Sequence, residues 1–126
     1  MIRRGEIYYV TLDPVQGHEQ AGRRPALVLS RDSINQGPLT VTVMIGSDAA
    51  HFPRDYSSNV RIPARESGLP MDTVFLGFQI RSLDHSRFLD PVRKVLPPPA
   101  GRLSTAWMAA IEAALCHTLE IRPRRA

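Results

Sequence analysis

Apolar residues gather in short strand-length runs through residues 6–83, with a clear period of two in Leu39 to Ile45, and recur every fourth residue from Leu103 onward. Glu6 to Leu12 is aromatic and β-branched, which predicts a strand closed by Asp13-Pro14. Pro25 to Ser30 is almost continuously apolar and predicts a central strand. Asp32 to Gln36 has room for one helical turn, broken by Gly37-Pro38. Leu39 to Ile45 alternates threonine with valine and predicts a third strand. Gly46 to Ser58 is polar, contains Pro53 and predicts a long loop or a distorted hairpin.

Further along, Asn59 to Ile62 predicts a short strand, Ser67 to Pro70 a turn and Thr73 to Ile80 another apolar strand. Phe88 to Val95 reads as the last strand, placed at an edge by Pro91. Pro97-Pro98-Pro99 is a rigid connector. Leu103, Trp107, Ile111, Leu115 and Leu119 then recur every fourth residue, predicting an amphipathic helix from Ser104 to Leu119 with Ser104 as its N-cap. Trp107 and Met108 are expected in the core or at a dimer contact. The fold class is therefore mainly β with one C-terminal helix, a small twisted half-barrel capped by that helix. So small a sheet leaves apolar surface uncovered, for which a homodimer is the common remedy. One domain spans residues 1–121, and residues 122–126 form a basic end expected to fray.

Composition narrows this picture. The chain has 126 residues, 43% hydrophobic and 22% charged, as in an ordinary globular domain. No apolar run is long enough to span a bilayer, and Met1 to Gly5 leads straight into a strand without a signal peptide, so a cytoplasmic location is expected. Cys116 alone cannot make an internal disulfide and is expected as a small buried thiol. His18, His51, His85 and His117 lack metal-ligand spacing, so no structural metal and no cofactor are expected. The net charge of +4 permits a polyanionic partner, whether RNA, DNA or an acidic protein tail.

Candidate chemistry concentrates between the first two strands, in Gly17-His18-Glu19-Gln20-Ala21-Gly22-Arg23-Arg24-Pro25. Arg24 precedes a proline, which pushes its backbone to the extended region and fixes its direction into the next strand. A guanidinium held beside a polar loop is suited to binding a phosphate; the alternative is a surface ion pair to Glu19.

The order of residues resembles the MazF/PemK family of toxin endoribonucleases from Arg4 to Ile121. Arg4 to Tyr8, Asp13 to Ser30, Phe78 to Leu83 and the final helix carry the likeness, with the second block the most specific. The resemblance implies a PemK/CcdB-like, SH3-like β-barrel that forms a homodimer. It implies metal-independent cleavage of single-stranded RNA at a short preferred sequence, giving a 2′,3′-cyclic phosphate and a 5′-hydroxyl. It also implies a cognate MazE-like antitoxin whose acidic, disordered tail blocks the RNA groove. The chain departs from the family pattern twice. Gly46 stands where a threonine is usual, with Ser47 next to it, and Phe78 stands where an acidic residue often precedes Gln79.

On this resemblance Arg24, Ser47 and Glu19 are the catalytic candidates. Arg24 would hold the phosphate, and the Ser47 hydroxyl would take the place of the missing threonine. Glu19 would orient Arg24 or accept the 2′-hydroxyl proton. Arg23, His18, Gln20, Phe52, Arg54, Gln79 and Arg81 are the candidate RNA contacts. Phe52 and Tyr56 are suited to stacking bases, with the alternative that Phe52 tucks under its own loop, while Arg23, Arg54 and His51 are suited to phosphates. Phe78 is expected to bear on packing more than on chemistry. The competing functions are a CcdB-like toxin that binds gyrase, and a catalytically weak relative that only binds RNA or antitoxin.

Overall fold

A computed structural model describes residues 1–12 and 22–122 of the chain. Six strands form one antiparallel sheet among these residues: β1 (Glu6–Thr11), β2 (Arg23–Val28), β3 (Val41–Asp48), β4 (Asn59–Ile62), β5 (Thr73–Leu83) and β6 (Gly101–Arg102). Their order across the sheet is β4-β5-β3-β2-β1-β6. Single helical turns α1 (Asp32–Asn35) and α2 (Ala64–Ser67) sit in the connections, and α3 (Thr105–Leu119) closes the chain.

Both faces of the sheet are covered, which explains the unbroken apolar run in β2. Ala26 and Val28 pack on one side with Tyr8, Val10, Val43, Ile45 and Phe88. Leu27 packs on the other with Ile7, Met44, Phe75 and the α3 residues Met108, Ile111 and Ala114. Ser104 caps α3, its hydroxyl accepting from the Trp107 N–H at 3.3 Å. The buried stripe of α3 is not the every-fourth-residue series. Each four-residue step overshoots a full turn by about 40°, so that series drifts off the core and leaves Leu119 54% exposed. Trp107 is partly buried against this core and Met108 fully so, while Cys116 on the helix flank is only half-buried.

Two strands differ from expectation. Phe88 to Val95 is not a strand. A 3-10 turn at His85–Phe88 drives Phe88 into the core. The Asp90 carboxylate then accepts from the Val92 N–H at 2.9 Å and the Arg93 N–H at 2.7 Å, folding the next residues into a closed loop. A side chain that captures its own following backbone competes with a sheet ladder. The sixth strand is instead Gly101–Arg102, which pairs with Ile7 and Glu6 of β1. There Arg102 reaches the buried Glu6 carboxylate at 2.8 Å, on which the Tyr8 hydroxyl also donates at 3.0 Å. Burial and the neighbouring Glu6 carboxylate raise the Tyr8 phenol well above its ordinary pKa.

The second difference is that β3 runs on to Asp48, so Gly46 and Ser47 belong to the sheet and not to a loop. The β3–β5 register slips between Met44, which faces Ile80, and Gly46, which faces Phe75. Residues 77–79 are thus extra on β5 and bend it. Gly77 is required at this bend, because a Cβ would collide with the Ser58 carbonyl and the Thr118 hydroxyl.

Candidate RNA-cleavage site

The site begins with a proline that cannot donate a hydrogen bond. The carbonyls of Val28 and Gly22 accept from Gly5 and Leu12, at 2.9 Å each, so the even-numbered residues of β2 turn their main chain towards β1. Leu29 donates to Thr42 of β3, so the odd-numbered residues turn theirs towards β3. Pro25 therefore occupies a position that would bond β3, and it lacks the N–H to do so. The β2–β3 ladder ends one residue earlier, at Ala26 with Ile45, while β1 and β2 stay paired as far as Thr11 with Arg23.

Where β2 and β3 part, a cavity of 270 Å³ opens, lined by Tyr9, Arg23, Arg24, Pro25, Ser47, Asp48, His51, Met71 and Thr73. Arg24 is half-buried and Ser47 is buried. Arg23 is committed in part to the sheet, its guanidinium donating to the Thr11 hydroxyl and the Tyr9 carbonyl, both at 3.0 Å. Two cationic side chains, three hydroxyls, one carboxylate and one imidazole thus surround a space open to solvent.

A second concavity of 520 Å³ adjoins it, lined by His51, Phe52, Pro53, Arg54, Tyr56, Ser58, Asn59 and Phe78. Phe52 is half-buried against Ala49, Val74 and Leu76, so it rests on the core with one side towards the groove. Tyr56 and Phe78 are 57% and 60% exposed. The expectation that Phe78 serves packing is therefore corrected: the bend in β5 turns it out into the groove. Arg61 of β4 braces this region, pairing with Asp55 at 3.0 Å and donating to the carbonyls of Ala49 and Phe52.

Of the residues singled out in the sequence, Arg23, Arg24 and Ser47 meet in the cavity, and Phe52 and Arg54 meet in the groove. Gln79 is buried and Arg81 half-buried on β5, and neither lines the cavity or the groove. The Arg81 Nη1 is buried without a hydrogen-bond partner among the described residues. His18, Glu19 and Gln20 lie outside the described residues. Tyr9, Asp48, Met71 and Thr73 were missed. Asp48 faces Thr73 across strands 25 positions apart in sequence, a pairing with no local signal.

Gly46 has its own explanation. A Cβ there would lie 2.8 Å from the Thr73 methyl and 3.0 Å from the Phe75 ring. The space beside residue 46 is already filled by Thr73.

Among the described residues no three His, Cys, Asp or Glu side chains are grouped so as to hold a metal ion, and no helix is long and apolar enough to cross a membrane.

Residues 3–119 match the PemK-like, MazF-like toxin family of type II toxin–antitoxin systems. The chain belongs to this family. It is 35% identical over 128 residues to Endoribonuclease MazF9 of Mycobacterium tuberculosis, covering 96% of this chain and 98% of that one. The crystal structure of MazF from Deinococcus radiodurans superimposes with a TM-score of 0.73 at 28% identity, over 94% of this chain and 96% of that one. An endoribonuclease in complex with its cognate antitoxin, from a mycobacterial species, shares the fold, with a TM-score of 0.72 at 18% identity over 98% and 100% of the two chains. The curled six-stranded sheet with a C-terminal helix is thus the fold of MazF toxins.

Proposed function

We propose that this MazF-like endoribonuclease toxin cleaves single-stranded RNA at a short preferred sequence by attack of the 2′-hydroxyl on the adjacent phosphate. The products are a 2′,3′-cyclic phosphate and a 5′-hydroxyl. The supporting observation is that Arg24 and Ser47, from different strands, line one cavity at the point where the sheet opens. RNA supplies its own nucleophile, so the protein has to provide alignment, charge stabilisation and proton transfers, none of which requires a metal-bound water.

Arg24 offers a planar fork to the non-bridging oxygens. Its hold strengthens as charge builds on the pentavalent phosphorus, which makes the contribution catalytic. A proton supplied by Arg24 goes to the leaving 5′-oxygen. Ser47 hydrogen-bonds the scissile phosphate or orients the 2′-hydroxyl, and Glu19 in the preceding loop orients Arg24. Bases flanking the cut stack on Phe52, Tyr56 and Phe78, with Arg54 and Arg23 on phosphates. His18 and Gln20 contact the strand from the first loop, whereas Gln79 and Arg81, which line neither the cavity nor the groove, are left without an RNA contact.

The antitoxin restrains this activity by laying an acidic tail over the cationic cavity, and the active unit is a homodimer. The deciding experiment incubates purified toxin with a long single-stranded RNA in EDTA and analyses the new ends. Cleavage leaving cyclic phosphate and 5′-hydroxyl ends supports the reading. A strict metal requirement, or full cleavage by Arg24→Ala, overturns it. Untouched RNA together with inhibited supercoiling would favour a gyrase-binding toxin instead.

A further inference from the structure

Among the described residues, His51 alone lines both the cavity beside Arg24 and the aromatic groove. It ends the 3-10 turn Ala49–His51, and its side chain is exposed to the space between the two. The turn that carries it is fixed on several sides. The Asp48 carboxylate accepts from the Ala50 N–H at 2.9 Å, Ala49 donates to the Asp72 carbonyl at 2.9 Å, and Arg61 holds the Ala49 and Phe52 carbonyls. The imidazole therefore projects from a held backbone at the junction where a bound strand would pass from phosphate to base.

We infer that His51 is the general base of the cleavage reaction, a role that rests on the RNA-cleavage reading of the cavity. Attack on phosphorus needs a group to take the 2′-hydroxyl proton. Among the described residues, the other titratable or charged groups around His51 are Tyr9, Arg23, Arg24 and Asp48 in the cavity, and Arg54 and Tyr56 in the groove. Resting arginine and tyrosine side chains already carry their protons at neutral pH, so neither type accepts another there. The Asp48 carboxylate is engaged in capping the turn. An imidazole is the side chain that accepts and releases a proton near neutrality.

In the step itself, neutral His51 takes the proton from the 2′-hydroxyl as that oxygen bonds to phosphorus. The bond from phosphorus to the 5′-oxygen breaks, and its electron pair stays on the 5′-oxygen, which is protonated from Arg24. His51 then releases its proton to solvent and Arg24 regains one from solvent, so protons and electrons balance.

The test uses an RNA oligonucleotide containing a mapped cut site, and a matching analogue with 2′-deoxyribose at that site, which binds without reacting. Single-turnover rates are measured against pH for the wild type, His51→Ala, His51→Gln and Arg24→Ala. The two His51 variants are expected to cleave roughly 10²–10⁴-fold more slowly and to lose the rate–pH inflection expected of the wild type. Their affinity for the deoxy analogue should stay within about threefold of wild type. Rates near wild type, an inflection that persists in His51→Gln, or a loss of affinity that accounts for the loss of rate would each overturn the assignment. Arg24→Ala separates the two levels: an inactive Arg24→Ala beside active His51 variants refutes only the role of His51, whereas a fully active Arg24→Ala refutes the site.

Discussion

Arg24 and Ser47 stand two residues beyond the last β2–β3 pair, Ala26 with Ile45, on the two strands that bound the same cavity. Had the ladder continued, they would face each other as paired residues. Removing the guanidinium should lower the cleavage rate roughly 10²–10³-fold, the usual cost of losing a donor to a developing oxyanion. Arg24→Lys should recover little of this, because a point charge cannot replace the fork. Ser47→Ala should cost about tenfold, in keeping with one hydrogen bond of about 1–1.5 kcal/mol. Rate measurements on a mapped cut site, with melting curves as a fold control, check all three.

Restoring a threonine at position 46 is expected to harm the protein. The Thr73 methyl lies 2.8 Å from where the new Cβ would sit, and the Phe75 ring closes the other side. Overpacking of this kind costs about 1–3 kcal/mol. Gly46→Ala and Gly46→Thr should both melt earlier than the wild type, and neither should cleave RNA faster. A faster Gly46→Thr toxin with an unchanged melting temperature would contradict the packing seen around Thr73.

Glu6 anchors one end of the sheet. Its buried carboxylate accepts from the Arg3 N–H at 2.7 Å, the Tyr8 hydroxyl at 3.0 Å and Arg102 at 2.8 Å. Glu6→Ala strands the buried Tyr8 hydroxyl and should cost about 1–3 kcal/mol in denaturant unfolding. Arg102 is mostly exposed, so Arg102→Ala should cost far less.

The loop after β5 should respond to acid. Side-chain and backbone hydrogen bonds from Ser86 lower the pKa of Asp84, and the N–H groups of Arg93 and Val92 lower that of Asp90. A carboxylate depressed in the folded state stabilises it above the ordinary carboxylate pKa of about 4, and that contribution disappears as pH falls through the folded-state value. Asp84→Asn and Asp90→Asn should therefore flatten the decline of melting temperature below that pH. Hydrogen exchange at the amides of Ser86, Val92 and Arg93 should rise in the same acid range.

Much of this was legible in the chain because the signals are local. Aromatic and β-branched runs marked β1, β4 and most of β5, alternation marked most of β3, and Ser104 marked the start of α3. Arg24-Pro25 pointed to the site through the constraint that proline places on its neighbour. What escaped depends on partners distant in sequence or on competition between local options. Phe88 to Val95 has strand-like residues, yet Asp90 diverts its backbone. Gly101–Arg102 is strand only because β1 has a free edge beside it. Ser47 looked like a loop residue because Gly46 looked like a breaker, whereas the glycine is there to admit Thr73. The outward turn of Phe78 follows from a three-residue slip against β3, which no pattern within β5 announces.

The gap beside Arg24 is held apart by an imino acid in the main chain of β2, so it works like a zipper with a fixed stop. Its width does not depend on which side chains project into it. Mutation can therefore redecorate the rim while the aperture itself stays open.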